Sequence, residues 1–470
     1  MKKSRRDFIR QSAAYGIGFW GLKLFANTSV SARGYSSEID TFGKLIPDPN
    51  RILDLPEGFT YRVLSRTGDI MHDGFRTPGA PDGMAAFPGN DGRVILIRNH
   101  ELSPHETFKS PFGMQAELFD KIDKSKLYDP GLGQVKAIGG TTTVVFNPQT
   151  GEVEQQSLSL AGTAVNCAGG PTPWGSWITC EETSIRAGEV VAKDHGYNFE
   201  VPASSRIQLA DPIPLKEMGR FDHEAVAVEP NTGIVYQTED EGDGLIYRFI
   251  PNEYGKLQKG GKLQALAIVD QLSCDTRNWE KYTVSPNQVL DTRWIDMDEV
   301  LSPNGDLRLR GFAKGAARFA RGEGMWYSKG QVYFACTNGG PLKKGQIWRY
   351  TPSAFEGTSR ENSQPGKLEL YIESTDDQLL ENCDNLTVAY WGDLIVSEDG
   401  TGDEATDENF IRGITPEGKI YTLARSAYHN NSEMCGVCFS PDNKTLFFNI
   451  QEPGLTVAVN GPWEKRFAKS

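Results

Sequence analysis

His223-Glu-Ala-Val-Ala-Val228, a turn, then Val235-Tyr-Gln-Thr-Glu-Asp240: an acidic group opens one short β-rich run, and acidic groups end the next. The frame recurs. Glu323-Gly-Met-Trp-Tyr327 leads to Val332-Tyr-Phe-Ala-Cys336, and Asp384-Asn-Leu-Thr-Val388 leads to Leu394-Ile-Val-Ser-Glu-Asp399. Glu433-Met-Cys-Gly-Val-Cys-Phe439 leads to Leu446-Phe-Phe-Asn-Ile450, and Asp82-Gly-Met84 leads to Ile95-Leu-Ile-Arg-Asn-His-Glu101. The opening acids Glu224, Glu323, Asp384 and Glu433 lie 99, 61 and 49 residues apart. Propeller blades repeat about every 40–50 residues, so the wider gaps predict insertions or further blades. Repeated strand-rich units of this kind predict an all-β, β-propeller-like fold with loop and short helical insertions, its sheets radial around a channel. Residues that open inner strands and residues that end the next ones then meet at one mouth. Carboxylates gathered there without compensation repel one another and raise their own pKa values, so convergence demands cations.

The rest of the chain agrees with strands. Val94-Ile-Leu-Ile97, Thr141-Thr-Thr-Val-Val-Phe146, Leu245-Ile-Tyr-Arg-Phe249, Gln346-Ile-Trp-Arg-Tyr350 and Lys419-Ile-Tyr-Thr-Leu423 are short β-rich runs. Turn residues such as Asn-Thr-Gly and Pro-Asp-Asn separate them. A helix is expected only around residues 114–122 and in short insertions. No linker divides residues 33–470, which read as a single propeller-like domain.

The N-terminus carries Ser4-Arg-Arg-Asp-Phe-Ile-Arg10, a twin-arginine export signal, then a weakly apolar stretch broken by Lys23 and a cleavage site at Val30-Ser-Ala32. A membrane anchor needs roughly 20 continuous apolar residues, so residues 1–32 read as a signal peptide, with no stable membrane insertion. The export machinery for folded proteins is then a partner, and the destination is periplasmic or secreted. The whole chain has a formal charge of −13; residues 1–32 contribute +5, leaving −18 for the remainder. That acidity excludes nucleic acid as a dedicated partner, because such a surface is basic. Seven scattered cysteines, an odd number, do not form a disulfide framework. A monomer is expected.

One segment combines soft and hard ligands. Asn166-Cys-Ala-Gly-Gly170 and Trp174-Gly-Ser-Trp-Ile-Thr-Cys-Glu-Glu182 place two thiols and two adjacent carboxylates around a Gly/Pro/Trp turn. A thiolate beside carboxylates suits a transition metal, whereas carboxylates alone suit calcium or magnesium. Ordinary buried core cysteines are the competing reading.

Together with Leu55-Pro-Glu-Gly-Phe-Thr-Tyr61, Arg98-Asn-His-Glu101, Asp194-His-Gly-Tyr197, Gly219-Arg-Phe-Asp-His-Glu-Ala225, Arg321-Gly-Glu-Gly-Met325, Asp384-Asn-Leu386, Ser397-Glu-Asp-Gly400 and Phe439-Ser-Pro-Asp442, these motifs resemble the PhoX family of alkaline phosphatases over most of the chain. The resemblance implies a propeller-like fold, export by the twin-arginine route and hydrolysis of small phosphomonoesters. It also implies a centre of ferric iron (Fe3+) and calcium (Ca2+) bridged by an oxo group. On that basis Cys167 is the iron-binding thiolate, with Glu182, Glu224 and Glu323 as carboxylate ligands. Asn99, Glu101, Glu239, Asp384, Glu398 and Glu433 match positions that complete the calcium shell. Arg321 looks like the contact to substrate phosphate, and His223 a proton donor or supporting group. Glu181 and Glu182 are not separable without geometry, and Cys383, Cys435 and Cys438 have no assigned role. Two alternatives stay open: a calcium-dependent propeller hydrolase of another class, such as a lactonase or phosphotriesterase, and a non-catalytic calcium-stabilised binding propeller.

Overall fold

In the computed structural model the described residues are 39–468, apart from 134, 189, 376–378, 401–407 and 429–431; the export signal lies outside them. The recurrent strand frame becomes six blades. Blade 1 is Pro81–Pro88, Val94–His100, Gly139–Asn147 and Glu152–Thr163. Blade 2 is Asn166–Pro171, Ser176–Glu181 and Asn198–Pro202. Blade 3 is His223–Val228, Val235–Glu239, Gly244–Pro251 and Gly261–Ile268. Blade 4 is Gly322–Ser328, Gln331–Cys336, Gln346–Thr351 and Lys367–Glu373. Blade 5 is Cys383–Val388, Leu394–Glu398, Phe410–Ile414 and Ile420–Ser426. Blade 6 takes Met434–Phe439, Thr445–Ile450 and Leu455–Asn460 from the C-terminal end, and Thr60–Arg66 from the N-terminal end. That shared blade closes the ring by pairing Thr60–Arg66 with Leu455–Asn460. The six first strands pack side by side in a cycle, each touching the next and the last returning to the first.

The wide gap between Glu224 and Glu323 holds insertions. Val289–Asp296 pairs with the outer strands of both blade 3 and blade 4 and fuses them into one sheet. A short helix, Leu307–Ala313, follows it. The blade missing from the sequence frame is blade 2, whose Gly- and Pro-rich strands lack the usual β-branched run. The helix expected around residues 114–122 is a set of turns with one 3-10 turn at Phe119–Lys121.

Apolar clusters lie between blades rather than in one centre. Phe87, Ile97, Trp177 and Phe199 join blades 1 and 2; Ile395, Tyr421, Leu446 and Phe448 join blades 5 and 6. All seven cysteines are free, and Cys438 belongs to the apolar seam of blades 6 and 1.

Every first strand is bulged at its start. The register shifts fall between Pro81 and Met84, Asn166 and Gly169, His223 and Val226, Gly322 and Met325, Cys383 and Leu386, and Cys435 and Cys438. A bulge re-aims one side chain away from the ladder. Small residues follow because neighbouring strands nearly touch there: a Cβ on Gly83 would lie 2.5 Å from Ala168 Cα, and one on Gly324 2.6 Å from Asn385 Cα. In blade 6 the bulge is Gly436 itself, with φ +67° and the Asp82 carbonyl oxygen 2.4 Å from where its Cβ would stand. Gly436→Ala is expected to cost about 2–4 kcal/mol, from the left-handed backbone plus overpacking. Denaturant unfolding checks this, and a change below about 0.5 kcal/mol would count against the close approach.

Candidate metal centre

The bulges and strand ends build two rings at one mouth of the channel. The bulge positions are Asp82, Cys167, Glu224, Glu323, Asp384 and Gly436. The residues just past the second strand of each blade are Glu101, Glu182, Asp240, Thr337, Asp399 and Gln451. Ligand atoms within 4.8 Å of one another form four overlapping groups: Asp82, Glu433 and Cys435; Asp82, Glu101 and Cys167; Cys167, Glu182 and Glu224; and Glu224, Glu323 and Asp384. The shared members Asp82, Cys167 and Glu224 join these groups into one arc.

The electrostatics of this arc call for cations. Burial, with the charges of Glu323 and Glu182 adding, holds Glu224 well above the usual carboxylate range. Burial likewise raises Glu182, Glu323, Asp384 and Glu433, pushes Asp82 to about 6, and with Asp82 beside it pushes Glu101 to about 8. Burial and then Asp82 and Glu224 drive the Cys167 thiol up. Both carboxylate oxygens of Glu224, fully buried, have no hydrogen-bond partner. Buried polar atoms are nearly always satisfied, so two orphaned oxygens aimed at other acids mark a place built for an ion. A thiol among carboxylates, as at Cys167, is a donor set that fits iron, and the one oxygen-only group, Glu224, Glu323 and Asp384, fits calcium.

Arg321 ion-pairs into the cluster. Its Nε and Nη2 donate to Asp240 at 2.8 and 2.6 Å, and Nη2 lies 3.0 Å from Glu323. The side chain is still 39% exposed, so part of the guanidinium fork faces the mouth. Its φ of 51° belongs to a left-handed turn that also precedes blades 1, 2 and 5, at Ala80, Val165 and Asn382.

Four sequence-assigned residues are not brought into these groups. Asn99 spends its amide on the Cys167 and Ala168 carbonyls (3.1 and 2.6 Å) and on Trp177 Nε1 (2.8 Å), so it braces the Cys167 backbone. Glu239 accepts from Leu245 N and the Tyr247 hydroxyl, both at 3.0 Å. Glu398 accepts from Arg412 Nε and Glu381 N, each at 3.0 Å. His223 stacks on Phe221, lies 3.1 Å from the Gly219 carbonyl oxygen, and is pushed down to about 3 by burial, so it stays neutral. The reason for the two glutamates is strand parity: successive side chains alternate faces, so Asp240 and Asp399, one residue on, take the inner positions. Asp240 shares a hydrogen bond with Glu182, and Asp399 one with Glu433. Asp82, Cys435, Asp240, Asp399 and Gln451 were missed as site residues. For Asp82 the signal was available, since Asp82-Gly, Cys167-Ala, Glu224-Ala and Glu323-Gly all pair a ligand type with a small residue.

Parity also separates Glu181 from Glu182. Glu181 is fully buried and accepts from Ala164 N, Gly196 N and Tyr197 N while contacting His195 Nδ1 at 2.6 Å. Cys180 lies in the apolar seam of blades 2 and 3. Burial alone would lower His195, but Glu181 and Asp129 outweigh it and raise the imidazole to about 9. The stabilisation by charged His195 is complete below its ordinary value of 6.5 and is lost as pH rises towards about 9. His195→Asn is therefore expected to flatten the fall of Tm across that window. An unchanged slope would show that the pair does not titrate there.

A family model described as "Alkaline phosphatase PhoX" matches residues 40–156 and 145–454. Among solved structures, Pseudomonas fluorescens PhoX in complex with vanadate, a transition state analogue, matches with TM-score 0.63 and 20% identity, covering 87% of this chain and 96% of that one. Virginiamycin B lyase from Staphylococcus aureus matches at TM-score 0.36 and 11% identity, covering 86% and 99%. A Xanthomonas campestris gluconolactonase matches at 0.39 and 9%, covering 91% and 100%. Neither of these two scores bears on function. No curated protein sequence matches. With the family model spanning most of its length, the chain belongs to the PhoX family of alkaline phosphatases and is a phosphatase.

Proposed function

We propose that the chain is an exported phosphomonoesterase whose acidic mouth holds iron and calcium. The carrying observation is Glu224, buried between the Cys167 and Asp384 groups with both oxygens unpartnered. Cys167, Glu182 and Glu224 would hold Fe3+; Glu323, assigned to iron by the resemblance, groups with Glu224 and Asp384 instead, and with Asp384, Asp82, Glu101 and Glu433 would give oxygen ligands to Ca2+. Clustered cations of this kind polarise phosphoryl oxygens and supply a nucleophile at accessible pH.

The chain's own residues position the substrate. Arg321 presents a planar fork to the phosphate dianion, pre-set by its bidentate hold on Asp240. The buried ring acids hold their charge where the phosphoryl group arrives only while cations balance them. Phosphoryl transfer needs positioning and charge neutralisation above all, which matches this division of labour. That a relative of the same fold, Pseudomonas fluorescens PhoX, binds vanadate as a transition state analogue supports phosphoryl chemistry for this chain. Ser4–Arg10 supports twin-arginine export to the periplasm or beyond, and no helix among the described residues is long and apolar enough to cross a membrane. A monomer acting on small phosphomonoesters is the matching state.

Turnover of p-nitrophenyl phosphate, before and after a calcium chelator, tests the reading. Activity should vanish on chelation and return with added calcium. Full activity in excess chelator would overturn it.

A further inference from the structure

In five blades the residue after the pair that flanks the bulge is Glu101, Glu182, Asp240, Thr337 or Asp399; in blade 6 that pair is Cys435 with Asn449, its strand runs on through Ile450, and Gln451 follows at the strand end. Gln451 Nε2 donates to Asp82 Oδ2 at 2.9 Å and to Glu101 Oε2 at 2.8 Å. Both acceptors are carboxylate oxygens, so the amide must present its NH2 to them, and one nitrogen bridges the pair. The Gln451 backbone is tied to the same corner, its N–H donating to the Glu433 carbonyl oxygen at 3.2 Å. Two residues back on the same strand side, Asn449 Nδ2 donates to the Asp82 carbonyl oxygen at 2.6 Å, and Asn449 is held in turn by Thr456. Blade 6 therefore grips Asp82 across the closing seam by backbone and side chain.

This corner is where blade 6 differs from the others. Its bulge residue is Gly436, so no side chain reaches the inner ring from that position. A carboxylate at 451 would face Asp82 and Glu101 together and add repulsion where burial already raises both. A neutral donor instead takes one lone pair from each acid, while Asp82 Oδ1 accepts from Gly83 N at 2.6 Å; both acids belong to the group containing Cys167, and Asp82 also to that containing Glu433.

We infer that Gln451 is a positioning residue for cation binding: it fixes Asp82 and Glu101 as a pair and so sets calcium affinity at the seam of blades 6 and 1. Removing a hydrogen-bond partner of a metal ligand weakens metal affinity by roughly 10–100-fold. The inference rests on the metal reading above, and the test separates the two.

The test strips the exported, folded protein of calcium and follows Tm against added calcium, with no substrate present. Gln451→Met keeps the length without the donors; Gln451→Asn keeps the donors but is one methylene shorter. Relative to the native chain, Gln451→Met should need roughly 10–100-fold more calcium for the half-maximal Tm rise, with Gln451→Asn between them. At saturating calcium the iron content should match the native protein in both variants. If the native protein shows no calcium-dependent rise, the metal reading fails. If it rises but both variants have midpoints within about twofold of it, the positioning role of Gln451 is overturned.

Discussion

Glu224→Gln should lower phosphomonoesterase activity at least about 100-fold, because it removes the carboxylate shared by the thiol-containing and oxygen-only groups. The same change should have the opposite effect on stability once ions are stripped. Burial and neighbouring acids raise Glu224 in the fold above its ordinary value of 4.5. A carboxyl raised by folding contributes stability below its unfolded value and loses it as pH rises, because the native state then binds more protons than the unfolded one. Stripped native protein should therefore lose Tm as pH rises above 4.5, and stripped Glu224→Gln should lose less. With calcium and iron present the order reverses, since ions favour the native carboxylate. A variant less stable than the native chain in both states would show that Glu224 serves packing rather than ion binding.

Arg321→Ala is expected to cost about 3–4 kcal/mol of transition-state binding, on the order of 10²–10³-fold in kcat/KM, from the lost charged fork. Arg321→Lys keeps the charge but not the bidentate geometry, and should recover only part of that loss. Because Asp240 would lose its partner in the alanine variant, Asp240→Asn paired with Arg321→Ala should restore fold stability without restoring turnover. Steady-state kinetics beside thermal unfolding separates these effects. Unchanged kcat/KM in Arg321→Ala would remove this arginine from the substrate site.

The strands were legible because short runs of β-branched and aromatic residues are bounded by Gly, Pro and Asn turn residues. Glu224, Glu323, Asp384 and Glu433, which open runs in the strand frame, lie in these groups, and Cys167 and Glu182 join them from the blade the frame lacked. Which member of an acidic pair turns inward was not legible. Glu181-Glu182, Glu239-Asp240 and Glu398-Asp399 each sit at a strand end where one residue decides the face, and in each the second member points inward. Asp82 opens one of the recurrent runs but was not assigned as a ligand, because its inward turn comes from the bulge between Pro81 and Met84. Gln451 escaped for a different reason: a neutral amide carries meaning only once Asp82 and Glu101 are seen to flank it.

Elemental analysis of the protein exported by a twin-arginine-competent host tests the central claim most directly. Iron should be bound stoichiometrically together with calcium, and Cys167→Ser should lose iron while remaining folded. Active native protein without iron, or a Cys167→Ser variant with full iron, would contradict the assignment of this mouth as a thiolate-carboxylate metal centre.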